Sequence, residues 1–145
     1  MIRALIVDDE KMTRNGLVRH IKWEQLGVDE VQTAASSNEA LQMLDTLHPD
    51  LVISDIRMPG MNGVELCQEI RRRQPHCQII FLTAYSDKEY LKAAIEIGAL
   101  GYVEKPVVPG EVEDEIIKAV KMIRQLQNMQ DKNRLELTLQ DSRSV

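Results

Sequence analysis

A doubly wound α/β sandwich, with five parallel strands covered by helices on both faces, is the fold class that this 145-residue sequence predicts. Short apolar runs rich in β-branched residues alternate with longer stretches of helical period. The connections between them are short, and strict β-α alternation with short connections means parallel strands joined by right-handed crossovers. The runs Leu51-Val52-Ile53 and Ile79-Ile80-Phe81-Leu82 are apolar without interruption. Half-exposed antiparallel strands would alternate, so these two belong in the middle of the sheet with both faces covered.

The strand-like segments are Ala4–Val7, Val31–Ala34, Leu51–Ser54, Ile79–Leu82 and Leu100–Val103. Between them, Thr13–Trp23, Ser37–Leu47, Gly63–Arg73, Asp87–Ile97 and Val112–Leu126 place apolar residues three or four apart and read as helices. Ser37 or Asn38, and Asp87, are the candidate N-caps, short polar side chains standing ahead of an apolar-periodic run. The stripe Leu41, Met43, Leu44 and Leu47 reads as core, and Trp23 as packing near the end of the first helix. From Gln125 onward the chain turns polar and carries neither Gly nor Pro. The expected organisation is one domain over residues 1–125 and, over 126–145, a helical extension that frays into a tail.

With 43% hydrophobic and 28% charged residues, the composition is that of a water-soluble globular protein. No apolar run approaches the roughly 20 residues of a membrane span. The N-terminus enters a strand directly, without the apolar core of a secretory signal, which makes the cytoplasm the expected compartment. A net charge of −5 gives no general attraction to phosphate backbones, and Arg71-Arg72-Arg73 reads as the solvated end of a helix. Direct nucleic-acid contact by this segment is not expected. Cys67 and Cys77 lack the spacing of a metal or redox pair and are read as reduced thiols.

In an open parallel sheet, ligands bind outside the carboxyl ends of the strands, so the residues just past each strand carry the chemistry. Here they are Asp8-Asp9-Glu10, Asp55, Thr83 and Lys105. Such a fold brings Asp8, Asp9 and Asp55 to one edge, where bare carboxylates repel. A cluster of hard oxygen ligands favours Mg²⁺ or Ca²⁺, and Mg²⁺, which keeps several waters, suits so sparse a set. A carboxylate can form an acyl phosphate, with a cation neutralising the incoming phosphoryl group. Lys105 offers a flexible positive charge and Thr83 a hydroxyl for the remaining oxygens. Each residue also has a plain reading: Asp-Asp-Glu as a solvated helix start, Thr83 as a β-branched strand residue, Tyr102 as an amphipathic edge side chain.

Together the segments LIVDDE (5–10), PDLVISDIRMPGMNG (49–63), FLTAY (81–85) and GYVEKP (101–106) resemble the response-regulator receiver domains of two-component signalling. Any one fragment is weak; four in order, each at an expected strand end, are specific. The resemblance covers about residues 1–125 and implies a flavodoxin-like sheet of order 2-1-3-4-5. It also implies that Asp55 is the phosphoacceptor, that Asp8, Asp9, Asp55 and the main-chain carbonyl of Arg57 hold Mg²⁺, and that a sensor histidine kinase is the partner. Thr83 would bond the arriving phosphoryl group, Lys105 would pair with it, Tyr102 would be the rotating aromatic of the switch, and Lys105–Pro106 would be a cis peptide. The strings TRNGL (13–17), WEQLG (23–27) and KPV (105–107) further resemble the receiver subgroup joined to AraC-type helix-turn-helix transcription regulators. No helix-turn-helix segment is found in the chain, so a DNA-binding output domain would lie outside it.

The expected function is a phospho-accepting switch rather than an enzyme acting on an external substrate. A phosphatase with an aspartyl-phosphate intermediate needs a second acid and an enclosing cap, whereas the loops here are short and Glu104 reads as an exposed strand end. An unphosphorylated receiver-like interaction module is the alternative, and a dinucleotide-binding domain lacks its GxGxxG turn. Ala119, Met122, Leu126, Met129 and Asn133 alternate spacings of three and four, the pattern of a short seam for a homodimer through the last helix. Arg57 and Tyr85 are expected to hinder water at the phosphoryl site by their bulk.

Overall fold

The computed structural model describes residues 1–143, less the side chains of Tyr85 and of residues 140–143. Its elements run β1 (Arg3–Val7), α1 (Lys11–His20), β2 (Glu30–Ala34), α2 (Ser37–Leu47), β3 (Leu51–Asp55), α3 (Gly63–Arg73), β4 (Gln78–Thr83), a 3₁₀ turn (Tyr85–Asp87), α4 (Lys88–Glu96), β5 (Gly101–Glu104) and α5 (Pro109–Arg143). The five strands form one sheet in the order β2-β1-β3-β4-β5, with every pairing parallel. This is the doubly wound flavodoxin-like architecture.

Two cores follow from the pleat, since successive strand residues point to opposite faces. Ala4, Ile6, Ile53, Ile80, Leu82 and Val103 face α1 and α5, meeting Leu17, Val112, Ile116 and Ile123. Leu5, Val7, Val52, Ile79 and Phe81 face the other helices, meeting Leu44, Leu66, Ile70 and Ala94. All five residues of β3 are buried, as a strand covered on both faces requires. Cys67 and Cys77 are free and buried in the second core, and burial pushes the Cys77 thiol up to about 12. Burial disfavours the thiolate, the reactive form, at both positions.

Where the structure departs from the sequence reading, local hydrogen bonding explains it. The cap of α2 is Ser36 rather than Ser37 or Asn38: its hydroxyl accepts from the Glu39 amide at 3.1 Å. Ser37 is buried and donates to the Met61 carbonyl at 2.7 Å, tying α2 to the loop before α3. Helix α1 starts two residues ahead of Thr13 and ends at His20 rather than Trp23, where Ile21 turns extended. The WEQLG string is then a turn. Its Trp23 indole donates to the Leu17 carbonyl at 3.1 Å, closing the end of α1. At Gly27, whose φ is +90°, a Cβ would run into Arg124 and Val120 of α5. The turn thus packs directly on α5. That helix begins at Pro109, where a missing amide costs nothing, three residues ahead of the expected Val112, and it runs unbroken through Arg143, into the helical extension expected after residue 125.

Gly63 opens α3 directly against the end of β3. Its amide donates to the Ile56 carbonyl at 2.7 Å, and an added Cβ would collide with the Asp55 carbonyl. Backbone gives less readily than a side-chain tip, so Gly63→Ala is expected to cost about 2–3 kcal/mol of stability through overpacking. A lowered urea midpoint at unchanged slope would show it; an unshifted midpoint would mean that the loop simply yields.

Candidate functional site

The carboxyl edge of the sheet gathers the residues that the sequence singles out. Val7 lies beside Ser54, and Asp55 beside Leu82, so β1, β3 and β4 end at nearly the same level. Asp8 and Asp9 leave β1 there, Asp55 closes β3, Thr83 closes β4 and Lys105 follows β5. The Lys105 amide donates to the Thr83 carbonyl at 2.7 Å, which joins the last two strand ends. The Lys105–Pro106 peptide is cis.

Within this edge, Lys105 Nζ donates to Asp55 Oδ2 at 3.0 Å, and it lies 3.5 Å from Asp8 Oδ2 and 3.9 Å from Glu10 Oε1. Asp8 is wholly buried and Asp55 nearly so, whereas Asp9 is exposed. Asp8 Oδ1 accepts the Glu10 amide at 2.9 Å, but the buried Oδ2 accepts no hydrogen bond. One carboxylate oxygen from each of Asp8, Asp9 and Asp55 lies within 4.8 Å of the other two.

Such crowding has electrostatic consequences. Burial pushes the Asp8 carboxyl up to about 6; the Glu10 amide opposes this, the charges of Asp55 and Asp9 add to it, and Lys105 offsets part. Asp55 is raised as well, again chiefly by burial and against the pull of the Lys105 hydrogen bond. For Lys105, burial works against the charge, yet the bond to Asp55 and the nearby acids hold its pKa above the usual ammonium value. One lysine does not neutralise this set. An unsatisfied buried oxygen among three hard donors, one of them open to water, fits a small divalent cation that keeps several waters of its own, as Mg²⁺ does.

Thr83 is buried at the strand end, while Tyr102 on the edge strand stands about half exposed, at 52%. Arg57 is held by groups at the start of α4. Its side chain reaches α4, with Nη2 at 3.0 Å from Glu89 Oε1, Nε at 3.3 Å from Asp87 Oδ1 and the guanidinium 5.5 Å from the Tyr90 ring centre. The side chain of Tyr85, its expected companion, lies outside the described residues. Asp87 occupies the N-cap position of α4 without capping it. Its Oδ2 instead accepts the Ala84 amide at 2.7 Å, in the turn that precedes the helix. Sequence reading missed this group because the pairing joins residues about thirty apart, where no local spacing signals it.

A sequence model of the response regulator receiver domain matches residues 4–121. The chain belongs to the response regulator receiver family. An uncharacterized response regulatory protein of Staphylococcus epidermidis is 42% identical over 113 residues, 78% of this chain and 44% of that one. The transcriptional regulatory protein HptR of Staphylococcus aureus is 37% identical over 133 residues, 92% of this chain and 51% of that one. The chain thus spans about half the length of the curated relatives it matches. Among solved structures, a two component transcriptional regulator AraC from Clostridium phytofermentans is 43% identical with a TM-score of 0.83, covering 88% of this chain and 98% of that one. The REC domain of the response regulator AraT from Geobacillus stearothermophilus is 29% identical with a TM-score of 0.77, covering 89% and 98%. The receiver thus resembles the AraC-type subgroup, as its WEQLG turn and KPV string suggest.

The raised Asp8 pKa has a defined sign in the metal-free receiver. Folding lifts it above its ordinary 3.8, so folding favours the protonated carboxyl; that contribution is complete below about pH 4 and is lost as pH rises through about 6. Asp8→Asn, which mimics the neutral group, is expected to stabilise the metal-free protein at pH 7.5 by on the order of 1–2 kcal/mol, with the gain gone near pH 4. Denaturant titrations in chelator at the two pH values check this, and an equal gain at both would assign it to packing instead.

Proposed function

We propose that this receiver is a phosphorylation-driven switch in which Asp55 accepts a phosphoryl group from the phosphohistidine of a sensor histidine kinase. The observation that carries the reading is the placement of a nearly buried Asp55 with Lys105 Nζ 3.0 Å from its carboxylate and with Asp8 and Asp9 oxygens within 4.8 Å. Asp8, Asp9, Asp55 and the main-chain carbonyl of Arg57 are the groups that would hold Mg²⁺. When bound, Mg²⁺ supplies positive charge against the phosphoryl oxygens.

In the transfer, an Asp55 carboxylate oxygen forms a bond to phosphorus as the bond from phosphorus to the histidine nitrogen breaks. The nitrogen keeps the electron pair and the carboxylate becomes an acyl phosphate. Lys105 gives up its bond to the free carboxylate and pairs with a phosphoryl oxygen. Thr83 turns its hydroxyl to another. The bond from the Lys105 amide to the Thr83 carbonyl carries a shift at the end of β4 to β5, where Tyr102 moves from its exposed position into the space that Thr83 leaves. Phosphorylation shifts this equilibrium only by the difference in stabilisation between the two packings. The chain acts on no separate substrate; it catalyses only the gain and loss of its own phosphoryl group.

We assign the receiver proper to residues 1–125 and an extension toward an output domain to 126–145. The names of HptR and of the AraC regulator support transcription regulation as the output, with DNA read by a further domain; the cytoplasm is the compartment we propose for that role. Incubation with acetyl phosphate and Mg²⁺ is expected to add one phosphoryl mass, seen by intact-mass spectrometry. The adduct should vanish in Asp55→Ala and in chelator, and its formation should slow by at least about tenfold in Lys105→Ala. An adduct that survives Asp55→Ala would move the acceptor elsewhere; none on the wild type would favour an unphosphorylated interaction module.

Partnership with a second copy through α5 takes a modified form. Ala119 is buried against the sheet and is not available to a seam, whereas Met122 and Met129 point outward at 41% and 61% exposure. Leu135, Leu137 and Leu139 are exposed further along the same helix. A lone extension of this length gains little from propensity alone, so we expect the homodimer to form through residues beyond Ala119. Light scattering across a concentration series should show mass rising toward twice the monomer on phosphorylation. A monomeric mass in both states at all concentrations removes the dimer.

A further inference from the structure

Asp87 takes no part in the phosphoryl chemistry above, yet it is a carboxylate of 1% exposure at the rim of the site. Its two oxygens serve different neighbours. Oδ2 accepts the amide of Ala84, the residue after Thr83, at 2.7 Å. Oδ1 is buried without a hydrogen bond and lies 3.3 Å from Arg57 Nε, in an ion pair that lacks hydrogen-bond alignment. Arg57 is shared: its Nη2 binds Glu89 in the first turn of α4 at 3.0 Å, and its guanidinium stands 5.5 Å from the Tyr90 ring centre. The turn that carries Asp87 starts at Ala84, two residues past Leu82, the strand neighbour of Asp55, and after burial, the main cause, the Asp87 charge works in the direction of a raised Asp55 pKa. A buried carboxylate is tolerated only with a counter-charge. Arg57 is that counter-charge.

We propose that Asp87 is a positioning residue that couples Asp55 to α4, holding the turn after Thr83 and the start of the helix in place through its shared Arg57 until a phosphoryl group on Asp55 breaks the sharing. The inference rests on the phosphoryl-accepting reading of Asp55. An acyl phosphate replaces one negative charge at Asp55 with roughly two. That repels Asp87 and attracts Arg57, whose backbone is two residues from Asp55. Both effects weaken the same ion pair. An Oδ1 with no hydrogen bond in reserve then leaves its buried place, and the Ala84 amide, released from Oδ2, takes another acceptor. The first turn of α4 loses its tie to Arg57 in the same event. This route runs through the turn at 84–87 to α4, separate from the one that Thr83 and Tyr102 make through β4 and β5.

Hydrogen–deuterium exchange of the full chain in Mg²⁺, with and without acetyl phosphate, tests it, with the phosphoryl mass read on the same samples. In the wild type, amides of residues 84–92 should exchange several-fold faster once the phosphoryl mass is present. Asp87→Asn should exchange at that faster rate before any phosphorylation and gain little afterwards, with its remaining amides unchanged. Arg57→Gln, at a half-exposed side chain, removes the same counter-charge and should behave alike, which keeps the test open if Asp87→Asn does not fold. Arg57→Lys, which keeps the charge, should restore slow exchange and the phosphoryl response. A phosphorylated wild type with unchanged exchange at 84–92 overturns the coupling alone, as does an Arg57→Gln protein that keeps the wild-type response. Absence of the phosphoryl mass on the wild type overturns the coupling together with the reading beneath it.

Discussion

Three carboxylates stand at one sheet edge at closer range than their charges favour, and Lys105 bridges two of them from 3.0 and 3.5 Å. The arrangement is unfavourable taken alone: burial and mutual repulsion lift Asp8 to about 6, and one buried oxygen accepts no hydrogen bond. It persists because the surrounding core over-determines it. Asp8 and Asp55 are the first residue past β1 and the last of β3, two strands paired in parallel and buried on both faces. The free energy that the core gains by burying apolar side chains is what holds the acids together. The site in turn is left short of positive charge, which is the property that a cation or a phosphoryl group with its metal requires.

The same economy appears in the backbone around the site. Gly63 lets α3 start against the Asp55 carbonyl, and the Asn62–Glu65 capping box orders that start through bonds of 2.9 and 3.2 Å. Across the sheet, the Lys105 amide holds the Thr83 carbonyl, so the cation and the hydroxyl are set by one strand pairing. Residues far apart in sequence are thus brought together by the backbone, and the bond from Lys105 to Asp55 adds to that placement. This explains how a handful of polar side chains on short connections form a defined site.

Much of this was legible in the sequence. The five strands, their burial and the gathering of Asp8, Asp9, Asp55, Thr83 and Lys105 follow from period, β-branching and the rule that parallel sheets bind at their carboxyl ends. What escaped depends on contacts between distant segments or on competition among neighbours. Ser36, Ser37 and Asn38 are all good caps by type; Ser36 takes the role because Ser37 is drawn into the Met61 carbonyl. Asp87 reads as a helix cap by position, but its carboxylate accepts the Ala84 amide and makes no cap bond to α4. The helical extension expected after residue 125 continues α5 without a break as far as Arg143, although beyond Leu126 its residues are polar or outward-facing and an apolar stripe marks a helix only where it packs.

A switch also needs an element that moves at small cost, and the helices differ in this respect. Helix α3 buries Gly63, Val64, Leu66, Cys67 and Ile70, whereas α4 buries Ala94 alone, with Tyr90, Leu91, Ala93 and Ile97 only partly covered. Few buried apolar contacts mean a low free energy of local rearrangement. Helix α1 likewise buries only Leu17, so α4 is one of two weakly anchored helices and the one that follows Thr83, joined to the site by a turn and by the side chain of Arg57. A change of one or two charges at Asp55 is a modest perturbation against the whole core but a large one against so few contacts. If Asp55 is phosphorylated as proposed, the low cost of moving α4 favours a response on that side of the sheet over one in β1, β3 and α3, which hold the acids.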